Sequence, residues 1–310
     1  MTGITARVPA KLNLQLAVGP PRADGYHELV TVFHAVSLFD QVTVEPAERD
    51  AVTVTGEGAG RVPAGQDNLA LRAVMALRAA VRDGGTGTPD VRITISKRIP
   101  VAAGLAGGSA DAAAALVACN ELWAAGLTQQ QLCEVGATVG SDVAFALLGG
   151  TAVGRGRGEQ LTPALVPATQ YHWVLAFADG QLATPEVYAT LDRLRTQREP
   201  DPPGEINLDA ALMSALRAGD AARVGSRLSN DLQPAAVSLF PALRKTLAAG
   251  LELGALGALV AGSGPTCVFL TASAERALDL AVAMSGAGVC RSVARVTGPA
   301  PGAAVISAQT

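Results

Sequence analysis

The residues best suited to chemistry in this 310-residue chain lie in stretches far apart in sequence. The run Lys11-Leu12-Asn13-Leu14-Gln15-Leu16 alternates polar and apolar residues, so as a strand it turns Lys11, Asn13 and Gln15 to one face and three leucines to the other. An ammonium and a carboxamide then share a surface. From 99 to 116 the chain reads IPVAAGLAGGSADAAAAL, and Gly104, Gly107 and Gly108 join a strand pattern to a helix pattern. Glycines let backbone amides approach an anion closely, and the unpaired N–H groups and positive end of the following helix suit a phosphate. The same glycines also fit a plain tight turn with close helix packing. They match neither the Walker A spacing, which needs a Lys-Ser/Thr pair, nor G-x-G-x-x-G. A second glycine turn stands at Gly262-Ser263-Gly264-Pro265.

Other chemistries lack their residues. Cys119, Cys133, Cys267 and Cys290 are widely spaced without a C-x-x-C pair, and there are three histidines, so neither a disulfide framework nor a zinc site is indicated. The cysteines are expected to be buried small hydrophobes. No G-x-S-x-G elbow is present for a serine hydrolase: neither Gly107-Gly108-Ser109 nor Gly262-Ser263-Gly264 fits it.

These residues need elements to hold them. Alternation and β-branched content predict further strands over 29–38, 41–45, 51–55 and 91–96, and a helix over 68–82 stopped by Gly84-Gly85. A helix from Ser109 to Ala125, ended by Gly126, follows the glycine loop directly. Beyond Gly158 the pattern predicts a strand at 172–178 and helices at 185–195, 208–218 and 221–227. Strands follow at 258–261, 266–271 and 292–297, with a helix at 274–284 before the last. The proline-rich polar segment 196–204 reads as an exposed loop. Length and pattern predict two α+β domains with a boundary at 158–167, divided as 1–162 and 163–310.

Composition narrows the partners. Lys+Arg number 24 against Asp+Glu 27, a net charge of -3, so no positive field exists to hold a nucleic acid. Hydrophobic residues make up 49% and charged ones 16%, which suits a globular chain and not a disordered one. The apolar stretches 99–119 and 253–270 approach the length of a membrane span, but glycines, a proline and Asp111 break the first and the 262–265 turn cuts the second. The N-terminus lacks a basic segment followed by an apolar core, so a cytoplasmic protein without membrane contacts is expected.

Three ordered stretches resemble one family. VPAKLNL at 8–14, the loop and helix start at 100–113 and VAGSGPTCVFL at 260–270 are similar to the three motifs of the GHMP kinases, which phosphorylate small molecules. The segments RADGYHEL at 22–29 and GSDVAF at 140–145 resemble the branch whose acceptor is a cytidine diphosphate-linked methylerythritol in the non-mevalonate isoprenoid route. The resemblance implies an N-terminal domain like ribosomal protein S5 domain 2 and a C-terminal ferredoxin-like α/β domain. It also implies ATP as phosphoryl donor with Mg²⁺, and transfer to the 2-hydroxyl of that acceptor.

Residue by residue, the resemblance implies Asp142 to orient or deprotonate the hydroxyl and Lys11 to steady the carboxylate and developing charge. Without it, Lys11 reads equally as a solvated strand residue and Asp142 as a helix cap. Asn13, Tyr26, His27, Phe33 and Tyr188 are implied on the acceptor, with Tyr26 and Tyr188 sandwiching the cytosine and His27 at its polar edge. For ATP it implies Asn68 and Leu69 near adenine and Lys97 near the phosphates or ribose. Around the phosphates it places Pro100, Gly104, Leu105, Ala106, Gly107, Gly108 and Ser109, with Gly262, Ser263 and Gly264 bordering them. Ala106 replaces a frequent glycine and Ala110 a frequent serine, which leaves Ser109 as the one hydroxyl of the loop. Mg²⁺ is then expected to be held by phosphates and water, with no protein metal ligand assigned. Homoserine- or mevalonate-type kinases, and a non-catalytic sensor, are the competing readings. The first lack a base to stack, and the second has no need of both Lys11 and Asp142.

Overall fold

The computed structural model describes residues 3–81, 87–167, 169–198 and 205–308. Two long strands, β1 (Ile4–Pro21) and β2 (His27–Pro46), pair antiparallel along most of their length. The two strands expected at 29–38 and 41–45 are one, because Asp40 turns inward to hydrogen-bond backbone while a register shift at Pro9/Ala10 absorbs the irregularity. β3 (Ala51–Gly56), α1 (Leu69–Val81) and β4 (Val91–Lys97) form a βαβ crossover, so β3 and β4 run parallel. The expected glycine stop at 84–85 lies outside the described residues.

Next come α2 (Gly107–Leu122), α3 (Gln129–Val139), α4 (Val143–Leu148), β5 (Thr151–Arg155) and β6 (Gln160–Pro163). In α2 the alanines from Ala112 to Ala115 are all buried, since short side chains let the helix sink between the sheet and its neighbouring helices. That burial accounts for the apolar stretch at 99–119; no helix among the described residues is long and apolar enough to cross a membrane. The helix stops before the expected Gly126. Ala124 already adopts φ 49°, and the Asn120 side chain closes the turn onto both backbone groups of Leu127.

The second half contributes β7 (Tyr171–Phe177), α5 (Thr184–Arg198), α6 (Ala210–Ala218), α7 (Ala221–Ser226), β8 (Ser229–Asn230), α8 (Gln233–Leu239), α9 (Ala242–Glu252), β9 (Gly257–Val260), β10 (Cys267–Thr271), α10 (Ala274–Ala287), β11 (Ser292–Gly298) and β12 (Ala304–Ala308). Helix α5 runs on through residues 196–198 of the expected loop, and 199–204 lie outside the described residues. β7, β9, β10 and β11 form a four-stranded antiparallel sheet of order β11-β7-β10-β9, the βαββαβ arrangement of a ferredoxin-like layer. The other strands make an eight-stranded sheet. β8 and β12 from the C-terminal part pair with β1, so the chain returns twice to the first sheet after the division expected at 162/163. Cys119 and Cys267 are buried as expected, whereas Cys133 and Cys290 are only half-buried, and all four are free.

Candidate active site

The fold brings the separated stretches onto one spot. A side-chain carbon placed on Gly262 would lie 3.0 Å from the Gly104 carbonyl oxygen and 3.5 Å from both Asn13 Oδ1 and Lys11 Nζ. Gly104, at φ +78°, leaves no room for a side chain against the Ala261 carbonyl, so here glycine is required by contact as well as by conformation. The Lys11 amide donates to Leu105 O at 3.3 Å, tying the glycine loop to β1. Asn230 Nδ2 donates to the carbonyls of Val260 and Gly262, 2.7 Å each, and so fixes the second glycine turn.

Lys11 and Asn13 do share a face, and both are buried. Asn13 donates to Thr31 Oγ1 at 2.8 Å, and Thr31 in turn donates to Gln15 O. The amide is thereby oriented with Oδ1 accepting from Lys11 Nζ at 2.7 Å. Lys11 Nζ also stands 3.8 Å from Asp142 Oδ2 and 5.4 Å above the Phe33 ring, which stacks on Phe145. Asp142 occupies the cap position of α4, yet its side chain caps nothing and its carboxylate lies beside the lysine instead. A carboxylate held by an ammonium in this half-shielded setting can accept a proton from an alcohol.

Beside the pair, α2 begins at Gly107 with no side-chain cap and no acidic residue in its first turn. Its free amides and positive end therefore face a cavity of about 960 Å³ lined by Gly104, Ala106, Gly107 and Gly108. Lys11, Asn13, Asp142, Gly262 and Ser263 line the same cavity, as do Tyr26, His27, Phe33 and Tyr188. His27 Nε2 stands 3.0 Å from Asp192 Oδ1. A carboxylate can only accept, so the proton sits on Nε2, and in the neutral ring Nδ1 is left as an acceptor. The His27 ring lies 5.0 Å from that of Tyr188, whose hydroxyl is pushed well above the usual tyrosine range by burial and then by the Asp142 charge. Tyr26 is more open than expected for one face of a sandwich: it is 55% exposed at the rim, with the Arg157 guanidinium 4.8 Å from its ring centre.

Other expected nucleotide residues do not line the cavity. Asn68 is spent as the cap of α1, accepting from the amides of Ala70 and Leu71 and donating to Pro63 O, with Leu69 behind it. Leu105 is buried, Gly264 packs on Val260, and Ser109 Oγ lies beside Gly140. Pro100 is also buried. Lys97 departs furthest from expectation. It is 3% exposed and bonded to Asp40 and to Asp111 Oδ2 (2.7 Å), because two buried carboxylates draw the ammonium inward. Burial pushes the Asp111 carboxyl up to about 8 even with Lys97 beside it. Among the described residues no group of three or more His, Cys, Asp or Glu could hold a metal ion. Sequence reasoning missed Thr31, Asp40, Asp192 and Asn230. Each acts through a partner at least 18 positions away, for which residue type alone gives no signal.

Family models described as "GHMP kinases N terminal domain" and "GHMP kinases C terminal" match residues 68–150 and 212–290. The 4-diphosphocytidyl-2-C-methyl-D-erythritol kinase of Thermobifida fusca is 55% identical over 98% of this chain and 99% of its own length. That of Mycobacterium tuberculosis H37Rv is 53% identical over 99% and 94%. A crystal structure of 4-(cytidine 5'-diphospho)-2C-methyl-D-erythritol kinase superposes with a TM-score of 0.74 at 34% identity, covering 94% of this chain and 98% of the other. Homoserine kinase from Cytophaga hutchinsonii has nearly the same fold, with a TM-score of 0.73 at 21% identity over 98% and 97%.

Proposed function

The chain belongs to the GHMP kinase family, and on that premise we propose that it transfers the γ-phosphoryl group of ATP to the 2-hydroxyl of 4-diphosphocytidyl-2-C-methyl-D-erythritol in the non-mevalonate route to isoprenoid precursors. The observation that carries this reading is the position of Lys11 and Asp142. They line one cavity together with an uncapped helix N-terminus suited to a triphosphate and with aromatic residues suited to a base.

Phosphoryl transfer asks a protein mainly for alignment and charge stabilisation. In this reading the amides at the start of α2 hold the phosphates and keep the γ-phosphorus in line with the acceptor hydroxyl. Asp142 Oδ2 takes the hydroxyl proton as the new P–O bond forms, and ADP leaves on the loop side. Lys11 lies beside Asp142 and faces the charge that gathers on the transferring group, while Asn13 holds Lys11 on that line. Mg²⁺ bound with the nucleotide would offset part of the charge of the phosphates. With Asp111 engaged by Lys97 and Asp142 paired with Lys11, the residues present would suit a metal carried by phosphates and water.

At the far end Tyr188 supplies a stacking face and Tyr26 closes from the rim. His27 Nδ1 accepts from the 4-amino group of cytosine, where the 4-oxo group of uracil offers no proton. A homoserine or mevalonate acceptor leaves this end unused. We place the reaction in the cytoplasm with free small-molecule substrates and no nucleic acid. A coupled ADP-release assay with the cytidyl substrate, homoserine and mevalonate tests the reading: turnover is expected with the first alone, and turnover confined to either of the others overturns it.

A further inference from the structure

The glycine loop, residues 98–106, leaves β4 at Lys97 and enters α2 at Gly107, and one buried ion cluster holds both of its ends. At the entry, Asp40 Oδ1 accepts from the amides of Arg98 and Ile99, the latter at 2.8 Å. At the exit, Lys97 Nζ reaches the Gly107 carbonyl at 3.3 Å. Between them Lys97 donates to Asp40 Oδ2 and to Asp111 Oδ2, and Asp111 sits one turn into α2. Asp40, Lys97 and Asp111 are all buried. An ammonium has three protons to donate, and three acceptors already face this one. Lys97 therefore has no donor left for a nucleotide unless the cluster breaks.

We propose that Lys97, Asp40 and Asp111 are positioning residues that clamp the two ends of the glycine loop, and that Lys97 acts on ATP only through this clamp. The clamp fixes the distance between the end of β4 and the first amides of α2, which sets the width of the phosphate cradle. The Gly107 carbonyl, turned down onto Lys97, leaves the amides of the first turn pointing the other way, toward the cavity. Asp111 keeps one oxygen, Oδ1, buried without a partner, which adds to the cost of holding this carboxyl ionised. With Asp111 protonated the cluster is neutral, so it adds no negative charge beneath a loop that must receive phosphates.

The inference rests on ATP being the donor, and direct titration of the free protein with ATP separates the two questions. If the wild-type protein fails to bind ATP, the functional reading fails. If it binds, the variants decide the clamp. Lys97→Met removes the ammonium, and Asp40→Asn weakens the grip from a residue that is fully buried and so out of reach of any nucleotide. Each should weaken ATP binding by about tenfold or more, the scale of a lost hydrogen bond to a charged group. The KM for ATP should rise with it, while kcat at saturating ATP and the KM for the acceptor hold within about threefold. The double variant, which leaves no unpaired charge to unfold the protein, should bind no worse than either single variant. Amide exchange across 98–108 should quicken in both single variants. If Lys97→Met weakens binding while Asp40→Asn binds and exchanges as wild type, Lys97 is a direct nucleotide ligand and the clamp is overturned. Wild-type ATP affinity in both folded single variants overturns it as well.

Discussion

Acid should loosen the junction between the two sheets through His34, and the size of the effect follows from its surroundings. His34 lies in β2, next to the Phe33 that underlies Lys11, and its ring packs 5.8 Å from those of Tyr171 and Trp173 on β7. It is fully buried, Nδ1 bonds Thr151 Oγ1 at 2.9 Å, and Nε2 has no partner. Desolvation pushes its pKa down from 6.5 to about 3. The native protein therefore holds His34 neutral where the unfolded chain takes up a proton. Stability from this residue is present above the unfolded pKa and is lost as pH falls from about 6.5 toward 3. At about 1.4 kcal/mol per unit the full loss approaches roughly 5 kcal/mol, and about 2 kcal/mol is already gone at about pH 5. Urea melts at about pH 7.5 and pH 5 on the wild type and on His34→Asn, which keeps a partner for Thr151 but cannot be charged, isolate the contribution of His34. The wild type should lose about 2 kcal/mol more than the variant between the two conditions. Equal losses in both would falsify the assignment, since carboxylates and other histidines titrate alike in the two proteins.

Asp142→Asn and Lys11→Ala should each lower kcat by roughly 10²-fold or more while ATP still binds measurably by titration; wild-type turnover in Asp142→Asn would remove the carboxylate from the reaction. Ala106 stands at φ +58° before α2, so Ala106→Gly should stabilise the protein by about 0.5–1 kcal/mol, the left-handed penalty of an alanine less the added freedom of the unfolded chain. A urea midpoint unchanged or lowered in that variant contradicts the strain. Tyr26→Ala should raise the KM for the cytidyl substrate through a loss of about 1–3 kcal/mol of stacking, with ATP affinity unmoved. His27→Ala and Asp192→Leu should instead erode the preference over a uridyl analogue. Retained preference in both places recognition of the base elsewhere.

Much of this was legible from residue types. Lys11 and Asn13 were placed on one face by strict alternation, and the glycines marked two turns, both of which line the cavity. The elements themselves followed from periodicity, with ends displaced by a few residues where a side chain, as with Asn120, closed a turn early. The two-residue strand β8 carries no pattern at all, and nothing local marks β12 as belonging beside β1. Cys133 and Cys290 were expected inside, but their neighbours cover them only in part.

Lys97 shows why the rest stayed hidden. A lysine at the end of a strand, directly before the glycine loop, was implied as a ligand by the family resemblance because sequence displays its charge and conceals its partners. Asp40 lies 57 positions away in what looked like a gap between strands, and Asp111 was hidden in a run of alanines. The same holds for Asn230 on the second glycine turn and Asp192 on His27: each is a common surface residue until a distant backbone or ring meets it. Such residues do no chemistry, so they carry no chemical signature. Yet the proposed reaction needs them, because it asks three separate segments to hold Asp142 against a hydroxyl in line with a phosphate. Substitutions there should therefore act first on binding and order, whereas those at Lys11 and Asp142 act on the reaction itself.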